Sequence, residues 1–262
     1  MAGALLLRGM LIGIVAGFLC FGFLRIVGEP QVDRAIAFET QLDQAKAQAK
    51  ARALIAHGLP APKEEPEPVL VSRRVQAGLG LFTGVIVYSV AFGGLFALAF
   101  ALAYGRASDL GPRATAALLA AVGLIAIYVV PNLKYPANPP SVGDPATIGP
   151  RTALYFSMIA LSLAAMIAAG MLRLRLLVRL GAWNAALIAV AGYLIVVVAA
   201  ALALPSVNEV PRQFPAVVLW QFRMASLGAQ LIMWSTIGLV FGALTERAAD
   251  RERGLRIRTA TL

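Results

Sequence analysis

Long apolar runs, separated by short groups of polar and charged residues, make up most of this 262-residue chain. A helix needs roughly 20 mostly apolar residues to cross the hydrocarbon core of a bilayer. The pattern therefore predicts an all-α fold, a polytopic membrane helix bundle that forms a single integral membrane domain over residues 1–262. It predicts about six transmembrane helices, and five is the alternative count because the third run is short. The six runs are residues 4–27, 78–104, 114–130, 153–172, 183–204 and 216–244.

The composition favours a membrane protein over a soluble one. Hydrophobic residues make up 60% of the chain and charged residues 14%, and the mean hydropathy is +0.78. An ordinary soluble domain is about 45–50% apolar and about 25% charged. We expect the first run to be retained as a helix and not removed as a signal peptide, because Arg25 closes it and no small-residue cleavage site follows.

Residues 28–77 form the one long polar loop between predicted spans. Pro30 suits the first turn of a helix, and the stretch that follows it, up to His57, is rich in helix-forming residues. Gly58 is expected to end this helix, and an acidic, proline-rich linker over residues 60–68 comes next. The loop has too few apolar residues to build the core of a catalytic domain.

The lysines and arginines predict the orientation, because they are enriched in short cytoplasmic loops. With six spans, both termini lie on one side, and the arginine-rich short loops and the tail lie there too. The rule therefore places both termini in the cytoplasm and residues 28–77 outside. The basic cytoplasmic tail, residues 245–262, suits lipid headgroups better than nucleic acid. Nine of the 13 acidic residues then face outward, namely Glu29, Asp33, Glu39, Asp43, Glu64, Glu65, Glu67, Asp144 and Glu209.

Glycines spaced four residues apart mark three of the predicted spans. Small residues at this spacing lie on one helix face and let helix backbones approach closely in lipid. The spacing predicts a tight bundle and implies no chemistry by itself. The three sets are Gly9, Gly13 and Gly17, then Gly80 and Gly84, then Gly238 and Gly242.

Motifs for catalysis are absent from the sequence. It has no phosphate-binding loop, no nucleophile elbow and no paired histidine–glutamate motif. The single histidine, His57, is better explained by a helix C-terminus, and the single cysteine, Cys20, by packing within a span. We therefore expect that the chain is not an enzyme and that it holds no permanent cofactor.

Four carboxylates at the outer ends of predicted helices are the candidate metal ligands: Glu29, Asp33, Asp144 and Glu209. Glu29 and Asp33 are four residues apart and share a helix face. Carboxylate oxygens suit hard and borderline divalent cations, so these acids are predicted to bind or funnel such an ion. The structural alternative is that Glu29 caps or charges a helix N-terminus and Asp33 pairs with a nearby arginine. Asp144 and Glu209 would then cap turns. Arg223, near the outer headgroups, is interpreted as an interfacial anchor in preference to a substrate-binding group.

Four segments of the chain carry a family resemblance: GEPQVDRAIAFE (28–39), LVSRRVQAGLGLFTG (70–84), LKYPANPPSVGD (133–144) and FRMASLGAQ (222–230). They resemble the CbtA family of predicted cobalt transporter subunits, and the likeness extends over nearly the whole chain. The resemblance implies a subunit of a cobalt uptake system linked to cobalamin synthesis in a bacterial inner membrane. It also implies a small single-span, histidine-rich (CbtB-like) partner besides the lipid bilayer.

The chain departs from the family pattern in its first loop. Many members carry a histidine-rich stretch there, whereas this sequence has only His57 and the acids Glu64, Glu65 and Glu67. Carboxylates alone select poorly among divalent metals. The expected function is the inward movement of cobalt or another divalent cation. The alternative is a structural or assembly membrane protein that transports nothing, which agrees with the scarcity of ionisable groups within the spans.

The orientation is directly testable. A reporter enzyme that works only in the cytoplasm should be active when it is fused after Leu262. A reporter that works only outside the membrane should be active when it is inserted within residues 60–68, because the arginine-rich loops stay inside. A C-terminal reporter found on the outside would contradict the predicted orientation.

Overall fold

The computed structural model describes residues 2–60, 71–106 and 110–260, with side chains as far as residue 253. Within these residues all regular structure is helical. The predicted acidic linker at 60–68 lies almost entirely outside the described residues. The helices are α1 (Ala2–Phe23), α2 (Glu29–Ala56), α3 (Arg73–Val75), α4 (Leu81–Ala103), α5 (Pro112–Leu124), α6 (Val130–Lys134), α7 (Ile148–Ala203) and α8 (Ala216–Ala260).

Three π-helical turns join consecutive helices without a loop. They cover Leu24–Gly28, Gln76–Gly80 and Ile125–Val129, and a short 3₁₀ helix, Pro145–Thr147, precedes α7. The first predicted span therefore does not end in a loop at residue 28, because the helix continues through the π turn into α2. Gly58, with a φ of +73°, follows the end of α2, where glycine adopts this left-handed conformation without steric cost.

Five continuous helical segments of the described chain are long and apolar enough to cross a membrane. The predicted membrane helix bundle is thus confirmed, and the short third run is among its spans as Pro112–Lys134. The fourth segment, Pro145–Ala203, has 59 residues and contains both the fourth and the fifth predicted runs.

A break at Gly181 divides α7 into two antiparallel halves. It explains why five continuous helical segments contain six predicted transmembrane runs. Gly181 has a φ of 73° and a ψ of 169°, which no helix allows. The hydroxyls of Ser162 and Tyr193 lie 2.9 Å apart, whereas a straight helix would separate these residues by about 46 Å. The chain therefore folds back at Gly181, and its two halves are membrane-length segments packed against each other.

The core of the bundle lies between α1, α4, α5 and α8. Its largest fully buried aromatic side chains are Phe100 and Phe241, whose rings meet edge to face with centroids 5.0 Å apart. The α7 hairpin packs beside this core through a second apolar cluster, in which Met158 and Tyr193 from its two halves meet Val130 of α6.

Two of the three predicted glycine sets mediate close helix packing. A Cβ at Gly9 or Gly13 would collide with the backbone of Gly93 or Ser89 on α4. On α8, a Cβ at Gly242 would lie 2.9 Å from the Cα of Arg113. These contacts confirm the prediction for α1 and α8.

The middle glycine set does not pack against another helix. Gly84 has open space around it, and a Cβ at Gly80 would meet only the carbonyl of Val75 on its own helix, at 3.4 Å. The close approach on α4 is made by Gly93 instead, because this residue lies opposite Gly9.

The two ends of the bundle carry different contacts. At one end, the side chain of Arg8 at the start of α1 donates a 3.0 Å hydrogen bond to Thr245 near the end of α8, and Arg113 pairs with Glu246. The start of α2 and the loops 135–144 and 205–215 lie at the opposite end, which we call the loop end. Ser141 links two of these segments by donating a 2.8 Å hydrogen bond to the carbonyl of Ala35.

Replacing Gly13 or Gly238 by leucine should destabilise the bundle by roughly 1–3 kcal/mol or more, because a side chain must separate two helices in contact. Gly84→Leu is the matched control, since this glycine has no neighbour to displace. Thermal unfolding in detergent measures the effect. A Gly13→Leu variant as stable as Gly84→Leu would show that the α1–α4 contact does not hold the bundle together.

Candidate functional site

A cavity of about 860 Å³ lies at the loop end, between α4, the π turn 125–129, α7 and α8. We call it the vestibule. Its lining is rich in tyrosines and side-chain amides and contains few charges. The lining polar and charged side chains are Tyr88, Tyr128, Asn132, Tyr135, Asn138, Arg151, Thr152, Tyr155, Asn208, Glu209, Arg223, Ser226 and Gln230.

The tyrosines are held in place by hydrogen bonds to neighbouring segments. Tyr128, on the π turn, donates a 2.9 Å hydrogen bond to the hydroxyl of Ser226 on α8. Tyr135 donates a 2.8 Å hydrogen bond to the carbonyl of Pro205. Because both bonds cross between elements, they fix the walls of the vestibule with respect to one another.

A second cavity of about 320 Å³ adjoins the vestibule, and Tyr88 and Gln230 line both. Cys20, Ser89 and Met233 also line it. The thiol of Cys20 donates to the carbonyl of Ala229 at 3.3 Å, whereas the Ser89 hydroxyl is fully buried and has no hydrogen-bond partner among the described residues. Polar groups therefore extend from the loop end towards the middle of the bundle.

Glu29 and Asp33 form one group around Arg73. Both carboxylates pair with its guanidinium, Asp33 at 3.0 Å. Glu29 is buried, with 7% of its surface exposed, while the Asp33 side chain is largely exposed. Neither residue lines the vestibule. Their contact with Arg73 matches the arginine pairing given above as the structural alternative for Asp33.

Asp144 and Glu209 form a second group around Arg151. Asp144 caps the 3₁₀ helix, since its carboxylate accepts a 2.9 Å hydrogen bond from the Ala146 amide. Glu209 accepts 2.7 Å hydrogen bonds from the Asp144 amide and the Thr147 hydroxyl and lies 3.3 Å from Arg151. These bonds, the amide first, hold the pKa of the Glu209 carboxyl below its usual range.

The four candidate ligands thus lie in two pairs, and an arginine already contacts each pair. Within the residues that the structure describes, no three histidine, cysteine, aspartate or glutamate side chains lie close enough together to hold a metal ion. Only Glu209 of the four lines the vestibule. Metal binding by these acids stays a prediction, and it requires the cation to compete with Arg73 or Arg151.

The family model for a probable cobalt transporter subunit, CbtA, matches residues 2–246. This chain belongs to the CbtA family. It is a multi-pass membrane protein of a transporter-subunit family, as the apolar runs and the four sequence segments predicted. No curated protein and no solved structure matches the chain.

Three segments that carry the CbtA resemblance meet at the loop end. Residues 133–144 and 222–230 both contribute to the vestibule lining. Residues 28–39 pack against them from outside, since Ala35 joins Val142 and Phe214 in one buried cluster. Segments far apart in the CbtA sequence therefore build one continuous structure around the cavity.

The sequence did not single out Arg73, Arg151 or three of the four vestibule tyrosines, namely Tyr128, Tyr135 and Tyr155. Arg73 and Arg151 are ordinary loop and helix-start residues in the sequence, and only the fold brings them to the acids. Arg223 was interpreted as an interfacial anchor. In the structure its Nε donates to the carbonyl of Ala137 at 3.2 Å and its Nη2 to the amide oxygen of Asn138 at 2.9 Å. The four vestibule tyrosines lie at no recognisable spacing.

Glu209→Gln tests the predicted metal role against the structural one. If Glu209 has a structural role, its ionised carboxylate stabilises the loop end. Because its pKa is lowered, this contribution to the stability of the fold is present at neutral pH. It is lost as the pH falls below the usual carboxyl range. The variant should then unfold at a lower temperature than the wild type at pH 7, and the difference should shrink with acidification.

The metal role predicts a different result. Cobalt binding to the purified protein should fall severalfold in Glu209→Gln and stay unchanged in Asp43→Asn, which neutralises an exposed acid of α2 away from the vestibule. Unchanged cobalt binding per folded molecule would remove Glu209 from the metal ligands.

Proposed function

We propose that this chain is the membrane subunit of a cobalt uptake system linked to cobalamin synthesis, and that the vestibule receives the cargo. The CbtA match along residues 2–246 carries this proposal. Its location is proposed to be a bacterial inner membrane, with both termini in the cytoplasm. The loop end, where the vestibule lies, then faces outward, as uptake requires.

The shape and lining of the vestibule support a path for a polar cargo. Buried polar groups within a membrane domain are costly and usually mark substrate pathways. Here Tyr128 and Ser226 occupy the wall, and Tyr88 and Gln230 connect the vestibule to the inner cavity. Hydroxyl and amide oxygens along this line would replace part of the water around a metal-bound cargo.

The scarcity of imidazole in the chain supports a division of labour between subunits. His57 is the only histidine, and it follows the end of α2. Borderline metals such as cobalt favour nitrogen ligands more than carboxylates alone provide. We therefore propose a small single-span, histidine-rich (CbtB-like) partner that captures cobalt and delivers it to the vestibule.

The second candidate function is structural, namely a membrane protein that assembles or stabilises a transporter without forming the path. The contacts of the four outer acids favour it, because all four serve the fold. Glu29 and Asp33 pair with Arg73, Glu209 pairs with Arg151, and the Asp144 carboxylate caps the 3₁₀ helix. The two candidates differ in whether substitutions in the vestibule change uptake at constant protein level.

Cobalt accumulation in a deletion strain complemented with variants separates them. Gln230→Leu should lower accumulation about tenfold or more, because a hydrogen bond to a charged or metal-bound group is worth roughly 1.5–3 kcal/mol. Gln221→Leu is the matched control on α8, since Gln221 contacts Arg34 and does not line the vestibule. Equal accumulation by both variants would favour the structural candidate, whereas normal accumulation in the deletion strain would contradict both candidates.

A further inference from the structure

The vestibule lining carries a net positive charge, whereas a site that binds a free cation is expected to carry negative charge. Apart from tyrosines, its ionisable lining residues are Arg151, Arg223 and Glu209, which give a net charge of +1. The Glu209 carboxylate already pairs with Arg151 and accepts hydrogen bonds from the Thr147 hydroxyl and the Asp144 amide. No carboxylate of the lining is left to attract a hydrated dication.

Arg223 provides the positive charge that has no ionic partner within the described part of the chain. Arg223 is a half-buried residue, and its guanidinium donates hydrogen bonds only to neutral oxygens, those of Ala137 and Asn138. A partly buried cation without an anion is costly, and a carboxylate that approaches the remaining guanidinium N–H groups would relieve this cost. Arginine is suited to such bidentate contact with carboxylates.

The remaining lining complements a small organic acid. Asn132, Asn138 and Asn208 offer amide donors, while the rings of Tyr88 and Tyr155 offer surface for a carbon skeleton. The volume of about 860 Å³ falls within the roughly 300–1,000 Å³ of small-molecule sites and far exceeds the size of one hydrated ion.

We infer that the vestibule binds a carboxylate-bearing anion through Arg223, so that cobalt enters it as an anionic organic chelate and not as the free dication. The part of this inference that concerns cobalt rests on the proposed function, whereas the anion site itself does not. Arg223 would hold a ligand carboxylate, and the tyrosines and amides would surround the remainder.

Citrate is a suitable probe, both alone and as its cobalt(II) complex, because it presents carboxylates with and without the metal. Binding to the purified, full-length protein is measured by calorimetry. Wild type should bind both forms. Arg223→Gln should weaken binding about tenfold or more, consistent with the roughly 1.5–3 kcal/mol of a charged hydrogen bond, and Arg223→Lys should retain part of it. Arg212→Gln, an exposed arginine outside the lining, should bind like wild type.

Asn138→Asp keeps the experiment conclusive if Arg223→Gln fails to fold. This nearly isosteric change places a carboxylate beside Arg223, where Asn138 already accepts its hydrogen bond. The variant should keep or raise the unfolding temperature and lose citrate binding, because the arginine is then neutralised from within. Citrate binding that survives both substitutions would show that Arg223 only fastens the loop, and the inference would be overturned.

Uptake separates this inference from the proposed function. Radioactive cobalt is supplied to the complemented deletion strain either as the chloride or as the citrate complex. Citrate binding through Arg223 without any cobalt accumulation would sustain the anion site and overturn the proposed function. Cobalt accumulation from the chloride by a protein that binds no citrate would sustain the function and overturn the anion site.

Discussion

The contact between the backbones of α1 and α4 is the constraint on which the bundle depends. Gly9 faces Gly93 and Gly13 faces Ser89 with no room for a side chain on either glycine. In lipid, helices gain little from hiding apolar surface, so association relies on such close van der Waals packing. This contact brings Cys20 and Phe96 into the same core as Trp234 and Phe241 of α8. The position of α8, and hence of one wall of the vestibule, follows from it.

Charged pairs organise the loop end once the helices are in place. Arg73 joins the start of α2 to the start of the second span, and Glu209 joins the loop before α8 to the start of α7. Each pair uses its charges to hold two segments together. As a consequence, three of the four candidate acids already contact an arginine, and Arg223 is left as the dominant charge of the vestibule.

The three π turns explain how the polar residues of this end come to lie where they do. Each π turn inserts extra residues into a helix and shifts the face that follows, and such turns recur at functional sites. Glu29 follows the first π turn, Arg73 lies shortly before the second, and Tyr128 lies within the third. The turns therefore link the regular bundle to the less regular site.

The sequence by itself determined the membrane class, the six apolar segments, the helix after Pro30 and the glycine contacts of α1 and α8. These features depend on length, hydropathy and local spacing, which a bilayer and a helix convert directly into structure. The family also follows from contiguous segments. Only the tertiary structure decided that Gly84 packs against nothing, that α7 folds back at Gly181, and that Arg73 and Arg151 pair with three of the outer acids. It alone assembled the vestibule and left Arg223 without an anion in the described chain. These outcomes depend on residues 31 to 98 positions apart meeting in space, such as Ser162 with Tyr193 and Tyr128 with Ser226, and no local pattern encodes such meetings.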